Sequence, residues 1–499
     1  MSASFEHRTL KSTLIGARVD TTVQFRGIPY GKVTKRFAEA DFVTDLPAKL
    51  DCTRYGPRCP QVPIDVRHLL RIPRDHILPA EPEDEFKCLN LDLVIPEEHF
   101  LKFEPRLPVL VWIHGGSQAV TFGSAASGVC DMTKIVADSA KLGKPVVAVS
   151  IQYRLNIFGF GDETSASNLA LNDQRLALEW VQAHVSGFGG DASRVTLAGE
   201  SAGAVYCHAH LVRKAPAAQF ILSSGSLHLS PPQPPSKASP MRERLTGHVQ
   251  DLGPFSLQNA PVSVMVEALQ RSGIQSWFIQ EEQQLQDWHR TVWGAQRLLL
   301  SDVQNESVLW RSGIWSMAAS DIIHAFGLAG MKSTELMRLY GIDVERPSSC
   351  KIGALDFIND YKFLLPVENM VECGRSQTKL SVYRCLIDEN NPWQPSNGAH
   401  HAVDLVLLFG GFDHIISASA KRTGQNLREK WIDFIQGDEP WPSDSYVAFG
   451  PHGMLQQLDE IGANSRRRMA NVKFLKKMDI SEVAPVFNAL AVGRISLLN

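Results

Sequence analysis

Between about residue 10 and residue 230 the hydrophobic and polar positions alternate between two rhythms. Short β-branched or aliphatic runs at 109–113 and 146–151, bounded by Pro, Gly or polar residues, read as buried strands. Residues 132–142 carry helical spacing. Leu171, Leu178, Val181 and Val185 then recur at helical intervals until Phe188-Gly189-Gly190-Asp191 stops the helix. Residues 195–198 form another buried run, followed by a helical pattern at 204–212. Strands alternating with helices of this length predict an α/β fold with a large, mostly parallel central sheet flanked by helices.

Pro231-Pro232-Gln233-Pro234-Pro235 is the one Pro-rich break, and a largely helical stretch follows it. Arg297–Val303 and Ser381–Ile387 read as later strands, 405–409 begins a helix or turn, and 426–436 is amphipathic through Leu427, Trp431 and Phe434. Hydrophobic pattern continues on both sides of the Pro run, which therefore reads as a surface loop within one domain. The expectation is a single domain over 1–499, with a core at about 10–230 and 295–450 and helix-rich insertions at about 235–295 and 310–380. No apolar run approaches the ~18 residues that cross a bilayer, so no membrane span is predicted.

Composition narrows the function classes. The 499 residues carry 50 Lys+Arg against 53 Asp+Glu, a net charge of −3, and are 44% hydrophobic. That excludes a disordered tail, a collagen-like repeat and a strongly basic nucleic-acid binder. The first twenty residues are charged early and lack a secretory apolar core, which predicts a cytoplasmic protein. The eight cysteines show no CxxC spacing, so no metal site is expected and most should be free thiols. Cys59 and Cys88 flank one long loop and are the pair that would join in an oxidising environment.

The strongest chemical signal is Gly199-Glu200-Ser201-Ala202-Gly203, between a buried strand and a helix. A G-x-S-x-G turn needs its glycines because strand, turn and helix approach too closely for side chains, and it forces the serine into an exposed, strained position. The Ala202 N–H then opens the helix where negative charge would develop on a substrate oxygen. A serine hydroxyl needs a histidine base and a carboxylate to orient that base. In α/β-hydrolase order both lie downstream, acid first. Glu306, in the loop after Arg297–Val303, fits the acid, with Asp302 and Asp388 as rivals. His401 fits the base through its spacing to Asp404 and Leu405, with adjacent His400 as the runner-up. Upstream, His114-Gly115-Gly116-Ser117 follows a strand and supplies candidate oxyanion donors at the Gly116 and Ser117 N–H groups. Phe188-Gly189-Gly190-Asp191 lacks the spacing of a nucleotide loop and reads as a structural turn.

These pieces resemble the type-B carboxylesterase family, which includes cholinesterases, fungal lipases of the Geotrichum type and the non-catalytic neuroligins. The matching segments include Arg26-Gly27-Ile28-Pro29-Tyr30, Tyr55-Gly56-Pro57-Arg58-Cys59-Pro60-Gln61, Asn172-Asp173-Gln174-Arg175 and the block from 168 to 204, with fungal members the most similar in look. The resemblance implies an α/β-hydrolase fold with a helical cap region and a Ser201-Glu306-His401 triad. It implies hydrolysis of a small-molecule carboxylic ester through an acyl-enzyme, Glu200 as an acidic neighbour of the nucleophile, and no metal or organic cofactor. Between Cys59 and Cys88 there is no Trp or Tyr, so the aromatic choline site of cholinesterases has no counterpart and choline esters are disfavoured. Two other readings fit the same residues: an acyltransferase or cyclising enzyme on this triad, and a non-catalytic binding module. The substrate pockets are expected from about 227 to 380, where Trp277, Trp288, Trp293, Trp310 and Trp315 are core or pocket residues, mostly core.

Overall fold

The computed structural model describes residues 2–102, 104–289, 294–377 and 380–497. Among these, thirteen strands join in one sheet. They are β1 (Ser2–His7), β2 (Ser12–Val19), β3 (Thr22–Pro29), β4 (Lys49–Cys52), β5 (Asn90–Pro96), β6 (Leu107–Ile113), β7 (Val147–Ile151), β8 (Gly190–Glu200), β9 (Gln219–Ser223), β10 (Arg297–Val303), β11 (Ser381–Ile387), β12 (Tyr446–Phe449) and β13 (Leu455–Leu458). Their order is β1-β2-β3-β5-β7-β6-β8-β9-β10-β11-β12-β13, with β4 beside β2. From β7 through β12 every neighbouring pair is parallel. Antiparallel strands close both edges. The parallel centre explains the unbroken apolar runs: β6 is buried at all of its positions, because helices cover a parallel sheet on both faces.

Helices α1 (Thr133–Lys141), α2 (Leu169–His184) and α3 (Ala202–Val212) pack on the sheet. The Pro run forms a loop whose last member, Pro235, opens α4 (Pro235–Asp251), where a proline costs no helical hydrogen bond. Helix α5 (Val262–Ser272) packs on α4. Between β10 and β11 the chain builds α6 (Pro347–Asn359) and α7 (Leu365–Arg375), joined by a π-helical turn at Asp360–Leu364. Helices α8 (Val403–Phe409) and α9 (Ala418–Gln436) follow β11, and α10 (Ile480–Ala491) comes late in the chain. One apolar cluster takes in residues from Ala3 to Leu497. The sheet thus starts at Ser2, ahead of residue 10, and helical structure continues well past residue 450, a region to which the hydrophobic pattern assigned no element.

All eight cysteines, Cys59 and Cys88 included, are free thiols. Among the described residues no helix is long and apolar enough to cross a membrane.

A buried charge network ties the C-terminal ends of β10 and β11 to the helices. Asp302 and Arg384 are fully buried and paired. Arg384 Nε also donates to Glu368 at 3.0 Å, and Arg467 bridges Asp302 and Asp388 at 2.7 Å each. Burial alone would raise the Asp302 pKa, but the Arg384 and Arg467 guanidiniums outweigh it and hold the carboxyl below its ordinary value. Removing one partner strands charge in a dry interior. Arg384→Ala is expected to cost ~3–5 kcal/mol of unfolding free energy in denaturant titration; a loss under about 1 kcal/mol would mean the network contributes little.

Candidate functional site

Strand β8 ends at Glu200 and α3 begins at Ala202, so Ser201 alone forms the turn, at φ 55° and ψ −123°. A non-glycine residue holds such a conformation only when its surroundings over-determine it. Those surroundings are backbone: a Cβ on Gly203 would lie 2.1 Å from the Ile113 carbonyl oxygen at the end of β6. Only glycine allows α3 to start that close to the neighbouring strand.

The chain beyond β6 turns through Gly116 (φ 119°), Ser117 (φ 55°) and Gln118 (φ 61°). Here too the approach excludes a side chain, since a Cβ on Gly116 would sit 1.9 Å from the Val120 carbonyl oxygen. The Ser117 carbonyl accepts from the Trp277 N–H at 3.0 Å, which fixes the turn. Among the described residues the N–H groups of Gly116, Ser117 and Ala202 have no acceptor. Ser117, Ser201 and Ala202 line one cavity.

Glu306 follows β10 and opens a one-turn 3-10 helix, Glu306–Trp310, where a loop was expected. It is held at three points: Oε1 accepts from the Val303 N–H at 2.9 Å, its own N–H donates to Asn359 Oδ1 at 2.7 Å, and Oε2 lies 2.5 Å from His401 Nδ1. His401 sits before α8, where the Asn305 N–H donates to the Ala399 carbonyl and the His401 N–H to the Asn305 carbonyl, so the acid and histidine loops are stitched together. The other imidazole nitrogen, Nε2, lies 3.2 Å from Glu200 Oε1. Phe363, in the π-helical turn, packs edge-on against the ring at 5.7 Å between centroids. Ser201 Oγ makes no hydrogen bond among the described residues.

The alternatives left open by the sequence are spoken for elsewhere. His400 turns away: Nδ1 donates to the His401 carbonyl, Nε2 meets Asn391 at 2.9 Å, and burial pushes its pKa down to about 4. Asp302 and Asp388 are bound to arginines in the network described above.

The His401 surroundings are strongly negative. Burial disfavours its cation, but the Glu200 charge and the Glu306 hydrogen bond outweigh burial and push its pKa up to about 9. Burial pushes Glu200 well above the ordinary carboxylate range, with the His401 charge opposing. Asp404 is raised to about 7 by burial and by the Glu306 charge, and its Oδ1 is buried without a partner.

The cavity over Ser201 measures about 850 Å³. Its walls include Leu229, Trp277, Phe278, Trp310 and, from α10, Ile480 and Phe487. Two of the five tryptophans therefore line it. Trp288 packs half-buried against the core, Trp315 is 45% exposed, and Trp293 lies outside the described residues. Helix α10 lies beyond the 227–380 region expected to supply the pockets. Asn359, Lys362 and Phe363 were also missed; no local motif marks them, and only the π-helical turn turns them toward the site. Among the described residues no group of three or more His, Cys, Asp or Glu could hold a metal ion.

Comparison with known proteins identifies the family and the fold. The sequence profile described as the carboxylesterase family matches residues 8–289. Lipase 3 of Yarrowia lipolytica is 28% identical over 505 residues, covering 97% of this chain and 98% of its own length. The para-nitrobenzyl esterase of Bacillus subtilis is 27% identical over 461 residues, covering 84% of this chain and 88% of its own. A solved PNB esterase structure superposes with a TM-score of 0.71 at 22% identity, over 93% of this chain and 98% of that one, which establishes the shared fold. The chain belongs to the carboxylesterase family and is a carboxylic ester hydrolase with the α/β-hydrolase fold.

Proposed function

We propose that this chain hydrolyses small to medium carboxylic esters through an acyl-enzyme on Ser201, with His401 as base and Glu306 as its orienting acid. The observation that carries the reading is the imidazole of His401, held 2.5 Å from Glu306 on one nitrogen with the other directed toward the Ser201 elbow at Glu200. Catalytic hydrogen bonds in unliganded enzymes are often long and tighten only with substrate, so a Ser201 Oγ without a hydrogen bond among the described residues is compatible with this role.

In the first half-reaction Ser201 Oγ bonds to the ester carbonyl carbon while His401 takes its proton. The oxyanion is received by the unpartnered N–H groups of Gly116, Ser117 and Ala202, each such donor being worth ~2.7–4 kcal/mol in the transition state. The alcohol C–O bond then breaks as His401 returns the proton to the leaving oxygen. Water repeats the sequence on the acyl-enzyme and releases the acid. Glu200 supports the imidazolium that forms in both halves. A cavity of about 850 Å³ with largely apolar walls suits an ester of that size.

Ser201→Ala should keep its thermal melting profile and lose turnover of 4-nitrophenyl acetate by roughly 10⁴-fold or more, with loss of covalent labelling by a fluorophosphonate. Turnover within tenfold of wild type would overturn the assignment. The base must be unprotonated to act, so a raised His401 pKa places the acid limb of kcat/KM above the ~6.5 of a free imidazole. Glu200→Gln removes the carboxylate that raises it most, and the limb should move to lower pH by about one unit; an unmoved limb would show that Glu200 does not act on His401.

A further inference from the structure

Resting on the hydrolase reading above, we propose that the substrate ester carries a negatively charged group, a carboxylate or its equivalent, and that Lys362 receives it inside the cavity over Ser201.

Lys362 belongs to the π-helical turn, next to the Phe363 that packs on His401, and lines the same cavity as Ser201. Single π-helical turns inside α-helices are frequent at functional sites. Here the turn gives one residue to the His401 ring and its neighbour to the cavity.

Among the described residues the ammonium has no countercharge. Its hydrogen bond goes to the neutral His228 carbonyl, 2.9 Å from Nζ, and it lies 4.5 Å from the Phe487 ring centroid and 5.6 Å from that of Tyr361. Among the described residues no carboxylate comes within ion-pair distance of it. Lys362 is half-buried in the cavity wall, and withdrawing a cation even partly from water has a cost that an anion or further acceptors would offset. Burial lowers the Lys362 pKa to about 8, so the group still holds its proton at neutral pH. The neighbouring His228 is pushed down to about 4, by burial first and then by the Lys362 charge, and brings no compensation.

The composition of the cavity points the same way. Among the described residues its only charged lining side chains are Lys362 and, exposed to solvent, Lys237, and no Asp or Glu lines it. A neutral ester would use the aromatic and aliphatic walls alone and leave the ammonium unpaired. An anionic group supplies the missing partner and forms a charge-assisted hydrogen bond with a donor free of the His228 carbonyl.

The anion can reside on the acyl or the alcohol side, and two matched pairs, each setting a carboxylate against a methyl group on the same skeleton, separate these. The acyl pair is 4-nitrophenyl hydrogen glutarate and 4-nitrophenyl valerate. The alcohol pair is 4-acetoxybenzoate and p-tolyl acetate. For each, the ratio of kcat/KM for the anionic over the neutral ester is measured in wild type and in Lys362→Met. Comparing ratios cancels the intrinsic reactivity of the esters. The expected result is a fall in that ratio of about tenfold or more for at least one pair, a smaller fall in Lys362→Arg, and wild-type preference weakening as salt rises. A parallel loss on both members of each pair, or ratios unchanged in both pairs, would overturn the proposal and give Lys362 a structural role only.

Lys362→Gln, which keeps a donor for the His228 carbonyl, replaces the Met variant if that protein fails to fold. Binding of glutarate and of 4-hydroxybenzoate to the Ser201→Ala protein, followed by calorimetry, needs no turnover. Binding that disappears with Lys362→Met in the Ser201→Ala background supports the anion site even if no ester is hydrolysed, an outcome that would sink the hydrolase reading alone. Hydrolysis of the neutral esters with neither ratios nor binding depending on Lys362 would sink the anion site alone.

Discussion

Two backbone segments touch where α3 begins: the chain at Gly203 runs so close to the Ile113 carbonyl that not even a methyl group fits between them. That contact governs the rest of the site. It lets α3 start against the end of β6 and holds Ser201 in its strained turn. It also brings the Ala202 N–H into the same space as the Gly116 and Ser117 N–H groups from the neighbouring strand. Three donors left without protein acceptors are an unfavourable feature in any other interior, since a buried unpaired N–H forfeits a hydrogen bond. Under the proposed function an oxyanion would form there, and such donors would be oriented before the charge appears, the cost of arranging them met by the packing of the fold.

The buried carboxylates divide by what neutralises them. Asp302 and Asp388 lie close in sequence to the acid and histidine positions, but arginines neutralise them and they act as struts between strands and helices. Glu306 is instead held by the Val303 N–H, with its remaining oxygen at the imidazole. Neutral donors fix its position without cancelling its charge, so the charge stays available to His401. Glu200 and Asp404 lack guanidinium partners as well, and their pKa values rise with burial. Burial opposes the His401 cation, and the Glu200 charge and the Glu306 hydrogen bond outweigh it and favour the imidazolium.

Much of this was legible in the amino-acid order. The bounds of β10 and β11 agree with the apolar runs read from the sequence, because each is short, buried on both faces and flanked by polar residues. The Gly199–Gly203 motif marked the turn at Ser201 because close backbone contact demands glycine there, a constraint that acts within five residues. Glu306 was proposed on strand order and family resemblance, and His401 was preferred to His400 on its spacing to Asp404 and Leu405; the direction of the two imidazoles, one to Glu306 and one to Asn391, is something alternation alone does not supply. The antiparallel edges, the π-helical turn and α10 left no readable mark. Asn359 meets Glu306 across 53 positions, and Phe487 meets Lys362 across more than a hundred. Such contacts are selected by tertiary packing, which overrides local periodicity and leaves no spacing for a reader to find.

The two charge environments of the cavity also constrain how a substrate lies in it. On one side His401 is backed by Glu200, Glu306 and Asp404, and on the other the Lys362 ammonium sits against Phe487 and Tyr361 without a counter-ion. In a low-dielectric interior, like charges a few ångströms apart repel by several kcal/mol, roughly 4 kcal/mol at 4 Å for an effective dielectric near 20. Burial favours the neutral forms of Glu200 and Asp404, so an anionic substituent on the His401 side meets less repulsion than three full charges would give. An ester with a charged end would lie with the anion at Lys362 and the carbonyl over Ser201. Under the proposed anion site, discrimination between substrates would rest on attraction at Lys362 added to the shape of the apolar walls.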